Sequence, residues 1–194
     1  MALALSIALG YLLGSVPFGL LLTRLTGGPD IRTIGSGNIG ATNVLRTGNK
    51  ALAATTLLFD ALKAAGAGWI ALALFGAPFH YVAAAAALFG HCYPVWLRFR
   101  GGKGVATFFG SLLGLLWPVG LVAAATWLLV AFTTRYSSAA ALCAAAFSVA
   151  VSAIFFPWQA TAMVAFMAAL IIWRHRENIA RLKAGTESKI GDKG

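Results

Sequence analysis

The stretch VATFFGSLLGLLWPVGLVAAATWLLVAFTT, residues 105–134, decides the fold. It is an unbroken apolar run, too long for a single crossing of a hydrocarbon layer that about 20 residues span. Trp117-Pro118 interrupts it near the middle. It is therefore either one long helix or two short, tilted crossings, and the two choices put everything downstream on opposite sides of a membrane.

The rest of the chain fixes the medium. Of its 194 residues 60% are hydrophobic and only 10% charged, and the mean hydropathy is +0.83. That composition belongs to a polytopic membrane protein. Six Trp and 22 Gly suit that class, because aromatics gather at bilayer interfaces and glycine is tolerated in packed spans. A formal net charge of +10 would suggest nucleic acid for a soluble protein; here it points to anionic lipid headgroups or anionic substrates. Cys92 and Cys143 are too few for a disulfide framework and read as buried thiols. The N-terminal run has no basic region before it, so it reads as a first span and not as a cleaved signal.

Charges bound the apolar runs 1–23, 51–77, 78–97, 105–134, 137–156 and 158–173. Lys and Arg beside short loops collect on the cytoplasmic side. With two crossings in 105–134 that side receives Arg24, Arg32, Arg46, Lys50, Arg98, Arg100, Lys103, Arg135, Arg174, Arg176, Arg181, Lys183, Lys189 and Lys193, which is every Lys and Arg except Lys63. The outer turns at 76–78, 117–118 and 156–158 then carry no charge. A single long helix would strand Arg135 and the basic C-terminus outside. The expected fold is an all-α bundle of seven transmembrane helices, N-terminus outside and C-terminus cytoplasmic, with residues 1–194 forming one domain.

On this topology three polar clusters emerge on one face. The first, GSGNIGATN at 35–43, contains Gly35, Gly37 and Gly40 in dinucleotide-fingerprint spacing, and Asp60 follows roughly where a ribose-binding acid would stand. That fingerprint needs a βαβ unit, which helical spans do not provide. The glycines suit either a simple turn or a nest of backbone N–H groups that approaches an anion. Ser36, Asn38, Thr42, Asn43 and Arg46 favour the second, since a bare turn needs no such set of hydrogen-bonding side chains.

The second cluster, GHCYPVWLRFRGGKGVAT at 90–107, sets Gly101, Gly102, Lys103 and Gly104 just before a helix. It is no Walker loop, because Gly104 stands where Ser or Thr is required. Amides at a helix N-terminus plus one ammonium nonetheless make an oxyanion site. Arg98 and Arg100 suit lipid headgroups better, and His91 and Cys92 point about 100° apart on a helix and read as core. The third cluster, WRHRENIARLKAGTE at 173–187, continues the last span as an amphipathic helix with His175 and Asn178 on one face. Asp60 and Lys63, spaced i,i+3 inside the second span, should face each other and the bundle interior, as a strut or as a substrate-facing pair.

GSGNIGATNVLR (35–46), GHCYPVWLRFRGGKGVAT (90–107) and HRENIARLKAGTE (175–187) resemble the three motifs of the bacterial membrane acyl-phosphate:glycerol-3-phosphate acyltransferases, and the resemblance covers essentially the whole chain. It implies a seven-span enzyme of the bacterial inner (plasma) membrane with its active site on the cytoplasmic face. It implies transfer of a fatty acyl group from acyl phosphate to the 1-hydroxyl of glycerol 3-phosphate, giving lysophosphatidic acid and inorganic phosphate. No cofactor, metal or nucleic acid is implied; the partners are the two substrates and membrane lipids. It marks Ser36, Arg46, Lys103, His175 and Asn178 as catalytic, with Gly37, Asn38, Thr42, Asn43, Gly101, Gly102 and Gly104 around the substrates. His175 is either the general base or a hydrogen-bonding group for glycerol phosphate, with a donor phosphate oxygen taking the proton. The second is favoured, because no carboxylate that would orient a histidine base is apparent in the motifs. The rival from another class is an organic-anion permease. Soluble-type acyltransferases with His-x-x-x-x-Asp are disfavoured, since Ala85, Trp96 and Ala180 occupy the Asp place after His80, His91 and His175.

Overall fold

The computed structural model describes residues 1–191, so Lys193, assigned above to the cytoplasmic side, lies outside the described residues, as do the last positions of the 1–194 domain. Among the described residues every regular element is helical. The helices are α1 (Ala2–Gly14), α2 (Phe18–Leu25), α3 (Ala41–Val44), α4 (Lys50–Phe75), α5 (Phe79–Cys92), α6 (Val105–Leu115), α7 (Trp117–Thr134), α8 (Ser137–Phe155), α9 (Trp158–Arg174) and α10 (Arg176–Lys183). Four units are long and apolar enough to cross a membrane: Ala2–Leu25, Lys50–Phe75, Trp117–Thr134 and Ser137–Phe155. Val105–Leu115 and Trp158–Arg174 are shorter apolar helices.

The stretch 105–134 is broken where its Trp-Pro pair stands. Leu116 leaves helical geometry at φ −138°, ψ 55°, its N–H still bonded to the Leu112 carbonyl at 2.7 Å, and α7 starts at Trp117 with Pro118 in its first turn. The missing N–H of a proline costs nothing there, because first-turn amides have no intrahelical partner. The run at 1–23, expected as one helix, is also interrupted. Pro17 (φ −90°, ψ 74°) ends the ladder of α1 and starts α2, since proline can neither donate to the preceding turn nor fit within it. By contrast α4 runs uninterrupted for 26 residues, its start capped by Asn49, whose Oδ1 accepts the Leu52 N–H at 2.9 Å.

Packing follows membrane logic, with small residues inside and large apolar ones outside. The buried positions of α8 are Ser138, Ala140, Ala141, Ala144, Ala145, Ser148 and Ser152, whereas Phe132 is 89% and Ile154 71% exposed. Helix α1 lies tight on α5, where Gly10 and Gly14 meet the backbone of Ala83 and Ala87 with no room for a Cβ. Leu88, Phe108, Leu112, Met167 and Ile171 fill the main core between α5, α6 and α9. A second cluster of Leu20, Ile31, Ile39, Val44 and Leu52 sits under the first polar loop, with Leu97 packed against it.

Candidate active site

The first loop is organised by one buried amide. Asn43, 2% exposed, donates from Nδ2 to the carbonyls of Ile31 (2.6 Å) and Ile34 (3.2 Å), and its Oδ1 accepts the Ser36 N–H at 3.2 Å. Burying a polar side chain is tolerable when each of its groups is paired in this way. Gly35 and Gly37, with φ of +53° and +66°, occupy left-handed conformations that only glycine adopts freely. The result displays Ser36, Gly37, Thr42 and Arg46 as exposed residues, while Asn38 is half-buried with its Oδ1 unpaired. Arg46 makes no hydrogen bond or ion pair among the described residues, although its side chain lies against Gly35.

The second loop uses its glycines differently from the expectation. The Gly101 N–H donates to the Cys92 carbonyl (3.1 Å) and the Gly102 N–H to the His91 carbonyl (3.0 Å). These two amides close the C-terminal end of α5, and the anion-facing donors lie one step further on. Gly104 has φ +83°, and its carbonyl accepts the first bond into α6, from Phe108 N at 2.8 Å. The amides from Gly104 to Thr107 have no acceptor among the described residues, which leaves four N–H groups and the positive end of a helix pointing the same way.

Lys103 stands beside this helix start, and its Nζ donates to Asn178 Oδ1 at 2.6 Å. Asn178 Nδ2 donates to Glu187 Oε1 (2.6 Å), which also accepts from Ser138 Oγ (2.7 Å), while Arg181 Nε donates to Glu187 Oε2 (2.7 Å). Burial pushes the Lys103 ammonium below its ordinary range and the nearby Arg181 cation pushes the same way, while Glu187 pulls it back up. The Glu187 carboxyl is held below its ordinary range: burial opposes ionisation, but hydrogen bonds from Ser138, Asn178 and Arg181 outweigh it. Arg174 ties the third cluster to the second, donating from Nε to the Gly102 carbonyl and from Nη2 to the Gly101 carbonyl, both at 3.0 Å, and lying over the Tyr93 ring.

His175 is 3% exposed, with Nδ1 at 2.8 Å from the Ile171 carbonyl. A carbonyl only accepts, so Nδ1 carries the proton and Nε2 presents its lone pair. Burial lowers its pKa to about 4 against the opposing pull of that carbonyl, so the ring is neutral near pH 7.

Direct bonds thus join the second and third clusters, whereas the first reaches them through Leu97, which packs on the Ile31, Ile39 and Val44 cluster. Sequence reasoning did not single out Glu187, Arg174 or Ser138. Glu187 and Arg174 lie within the third cluster and were within reach; Ser138, at the start of α8, carries no sequence signal. It also read His91 as plain core, whereas Lys63 Nζ, bonded to Asp60 Oδ1 (2.7 Å) and the Val16 carbonyl (2.9 Å), meets His91 Nδ1 at 2.9 Å. Among the described residues no three His, Cys, Asp or Glu side chains gather as a metal ligand set.

Comparison with known proteins adds an independent line. The family described as glycerol-3-phosphate acyltransferase matches residues 4–185. The glycerol-3-phosphate acyltransferase of Rhodopseudomonas palustris (strain BisB5) is 54% identical over 192 residues, covering 97% of this chain and 96% of its own. That of Nitrobacter winogradskyi is 55% identical over 189 residues, with 97% and 96% covered. Two crystal structures of PlsY, an integral membrane glycerol 3-phosphate acyltransferase, are similar in fold: the glycerol 3-phosphate form at TM-score 0.92 and the lysophosphatidic acid form at 0.91. Each is 36% identical and covers 98% of this chain and 96% of its own.

Proposed function

The chain belongs to the glycerol-3-phosphate acyltransferase family, and from that premise we propose that it moves a fatty acyl group from acyl phosphate to the 1-hydroxyl of glycerol 3-phosphate. The products are lysophosphatidic acid and inorganic phosphate. One observation carries the reading: Lys103, at a helix start with four unspent amides, is bonded to Asn178, one turn beyond the neutral His175. A cation, a helix N-terminus and a neutral hydrogen-bond acceptor together suit phosphate binding beside a hydroxyl.

In the proposed reaction the glycerol 1-oxygen attacks the acyl carbonyl carbon. The bond from that carbon to the phosphate oxygen breaks, and the phosphate leaves with the electron pair. Lys103, Arg46 and the α6 amides stabilise charge on carbonyl and phosphate oxygens, and holding both substrates together supplies much of the rate. His175 accepts a hydrogen bond from the glycerol through Nε2 and orients it; a group with a pKa of about 4 is a poor resting place for a proton near neutrality. The proton therefore passes to a phosphate oxygen of the departing group. Ser36 and Arg46 complete the site from the first loop, with Gly37, Asn38 and Thr42 lining it and Asn43 holding its shape.

The placement is a bundle of seven crossings acting as one domain in the bacterial inner membrane, with the site on its cytoplasmic face. What supports this is the break at Leu116, which returns Arg135 to the side of the other basic loops, and the chargeless turns opposite. The acyl tail stays within the bilayer. An apolar groove of about 530 Å³ between α1, α5 and α9, lined by Tyr11, Tyr81, Phe89, Met163 and Phe166 among others, suits it. At one end of it the Tyr11 hydroxyl donates to the carbonyl of Tyr93 (3.0 Å), the residue whose ring Arg174 covers.

Purified protein given acyl phosphate and glycerol 3-phosphate should release phosphate and form ester only when both are present, and acyl-CoA should not replace the first. Solute flux across sealed vesicles without a new ester would replace this reading with a permease.

A further inference from the structure

We infer that His91 is a further substrate-binding residue, a neutral Nε2–H donor at the anion seat of the second loop, with its tautomer imposed from behind by Asp60 and Lys63. The inference rests on the anion-holding reading of that loop.

Hydrogen-bond accounting carries it. The Lys63 ammonium has three N–H groups and no lone pair. One goes to Asp60 Oδ1 and one to the Val16 carbonyl, which the break before Pro17 leaves outside the helical ladder. The third meets His91 Nδ1 at 2.9 Å, closer than Asp60 Oδ1 at 3.5 Å from the same nitrogen, so with Lys63 charged the shorter contact makes that nitrogen the acceptor. A neutral imidazole that accepts at Nδ1 carries its proton at Nε2. Asp60 and Lys63 are 1% and 8% exposed, so their charges cancel one another in a setting where an unpaired charge is costly.

The other end of the ring has no such partner. His91 is 4% exposed, and its Nε2 has no acceptor among the described residues. It lies hard against Gly102, where a Cβ would strike the ring nitrogen itself. Glycine at that position is therefore required by the approach of His91, not by a turn. The ring as a whole is buried, and an N–H held there without a protein acceptor is left to donate to a ligand. The glycine it touches immediately precedes Lys103 and the start of α6, where phosphate oxygens would supply the missing acceptor. A neutral donor suits a seat that already holds one cation, because it adds a bond without adding repulsion to Lys103 and Arg174.

Both substrates bring phosphate oxygens, and the experiment separates them. Protein labelled with nitrogen-15 histidine is studied by NMR in detergent, the His91 signals being assigned from His91→Gln. The expected result is a pyridine-type Nδ1 and a protonated Nε2 whose resonance moves when a phosphate ligand is added. Movement with glycerol 3-phosphate alone assigns the bond to the acceptor; movement with a non-hydrolysable acyl phosphonate alone assigns it to the donor. A proton on Nδ1, or an Nε2–H unmoved by either ligand or by inorganic phosphate, overturns the inference.

Kinetics give a second readout. His91→Phe should raise KM for the assigned substrate roughly tenfold, the loss expected for a hydrogen bond to a charged oxygen. His91→Gln, which keeps an N–H near the Nε2 position, should recover much of that. Equal falls in kcat and melting temperature in both variants, with neither KM changed, would make the residue purely structural. Should the native protein form no lysophosphatidic acid, the transferase reading fails while the NMR result still decides the donor.

Discussion

Lys63 and Lys103 hold the same ammonium in opposite ways. Lys63, inside α4, uses all three N–H groups on protein acceptors: Asp60, Val16 and His91. Lys103, in the loop before α6, has a single acceptor, Asn178 Oδ1, and two N–H groups with none among the described residues. A saturated cation holds elements together, since no donor is left for anything else; an unsaturated one beside free amides is prepared for a ligand. Sequence already separates their settings, Lys63 inside a span three residues after Asp60 and Lys103 among glycines before a helix, but not how many donors each has left. The acceptor count in the fold does that.

The sharpest way to break this contrast is to remove each charge in turn. Lys63→Met leaves the buried Asp60 without its ammonium partner and with only the His91 ring, 3.5 Å away, beside it, which should destabilise the fold by about 3–5 kcal/mol. Thermal unfolding in detergent measures it, and adding Asp60→Asn should restore part of the loss, because the double variant buries no charge. If Lys63→Met melted like the native protein, the strut reading would be wrong.

Lys103→Met should show the reverse profile. Its folding should change little, while kcat/KM should fall by roughly 10²–10³, the effect of deleting one group that stabilises developing negative charge. A variant of full activity would move the anion site away from α6.

The smallest effect concerns His175, which completes the unsaturated region. With its pKa lowered to about 4, the ring is already neutral above pH 5, so kcat should show no inflection near 6.5 that His175→Gln removes. Stability carries the sign. The unfolded chain binds the proton near 6.5 and the folded one only near 4, so stability is lost as pH falls between these values. His175→Gln should flatten that dependence in melting curves across the window. A kcat inflection at 6.5 that vanishes in the variant would make His175 the base.

The sequence made the helical architecture legible because the constraint is one-dimensional. A bilayer demands about 20 apolar residues per crossing and satisfied backbone groups within each, so spans show as runs and their ends as charges. Trp117-Pro118 marked the break in 105–134, because proline acts on its own turn. Pro17 has the same effect within 1–23, and there the expectation of one continuous helix overlooked it. The second and third clusters were also visible as patterns of Gly, Lys, His and Asn, the residue types that bind phosphate and hydroxyl groups.

Which of their hydrogen-bonding groups are used within the fold is visible only in the packing. Gly101 and Gly102 looked like anion donors, yet their amides go to the Cys92 and His91 carbonyls, because α5 ends beside the loop and needs partners for its last turn. Asn43 looked like a substrate ligand and instead holds the backbone at Ile31 and Ile34. Ser138 entered the network around Glu187 from a helix far away in sequence. Composition, span length and local motif chemistry are properties of neighbouring residues, so the sequence by itself determined a helical membrane protein with a cationic, glycine-rich polar face. A hydrogen bond is spent or free according to what another segment brings within about 3 Å. Only the tertiary structure could decide which donors the fold consumes and which remain for a substrate.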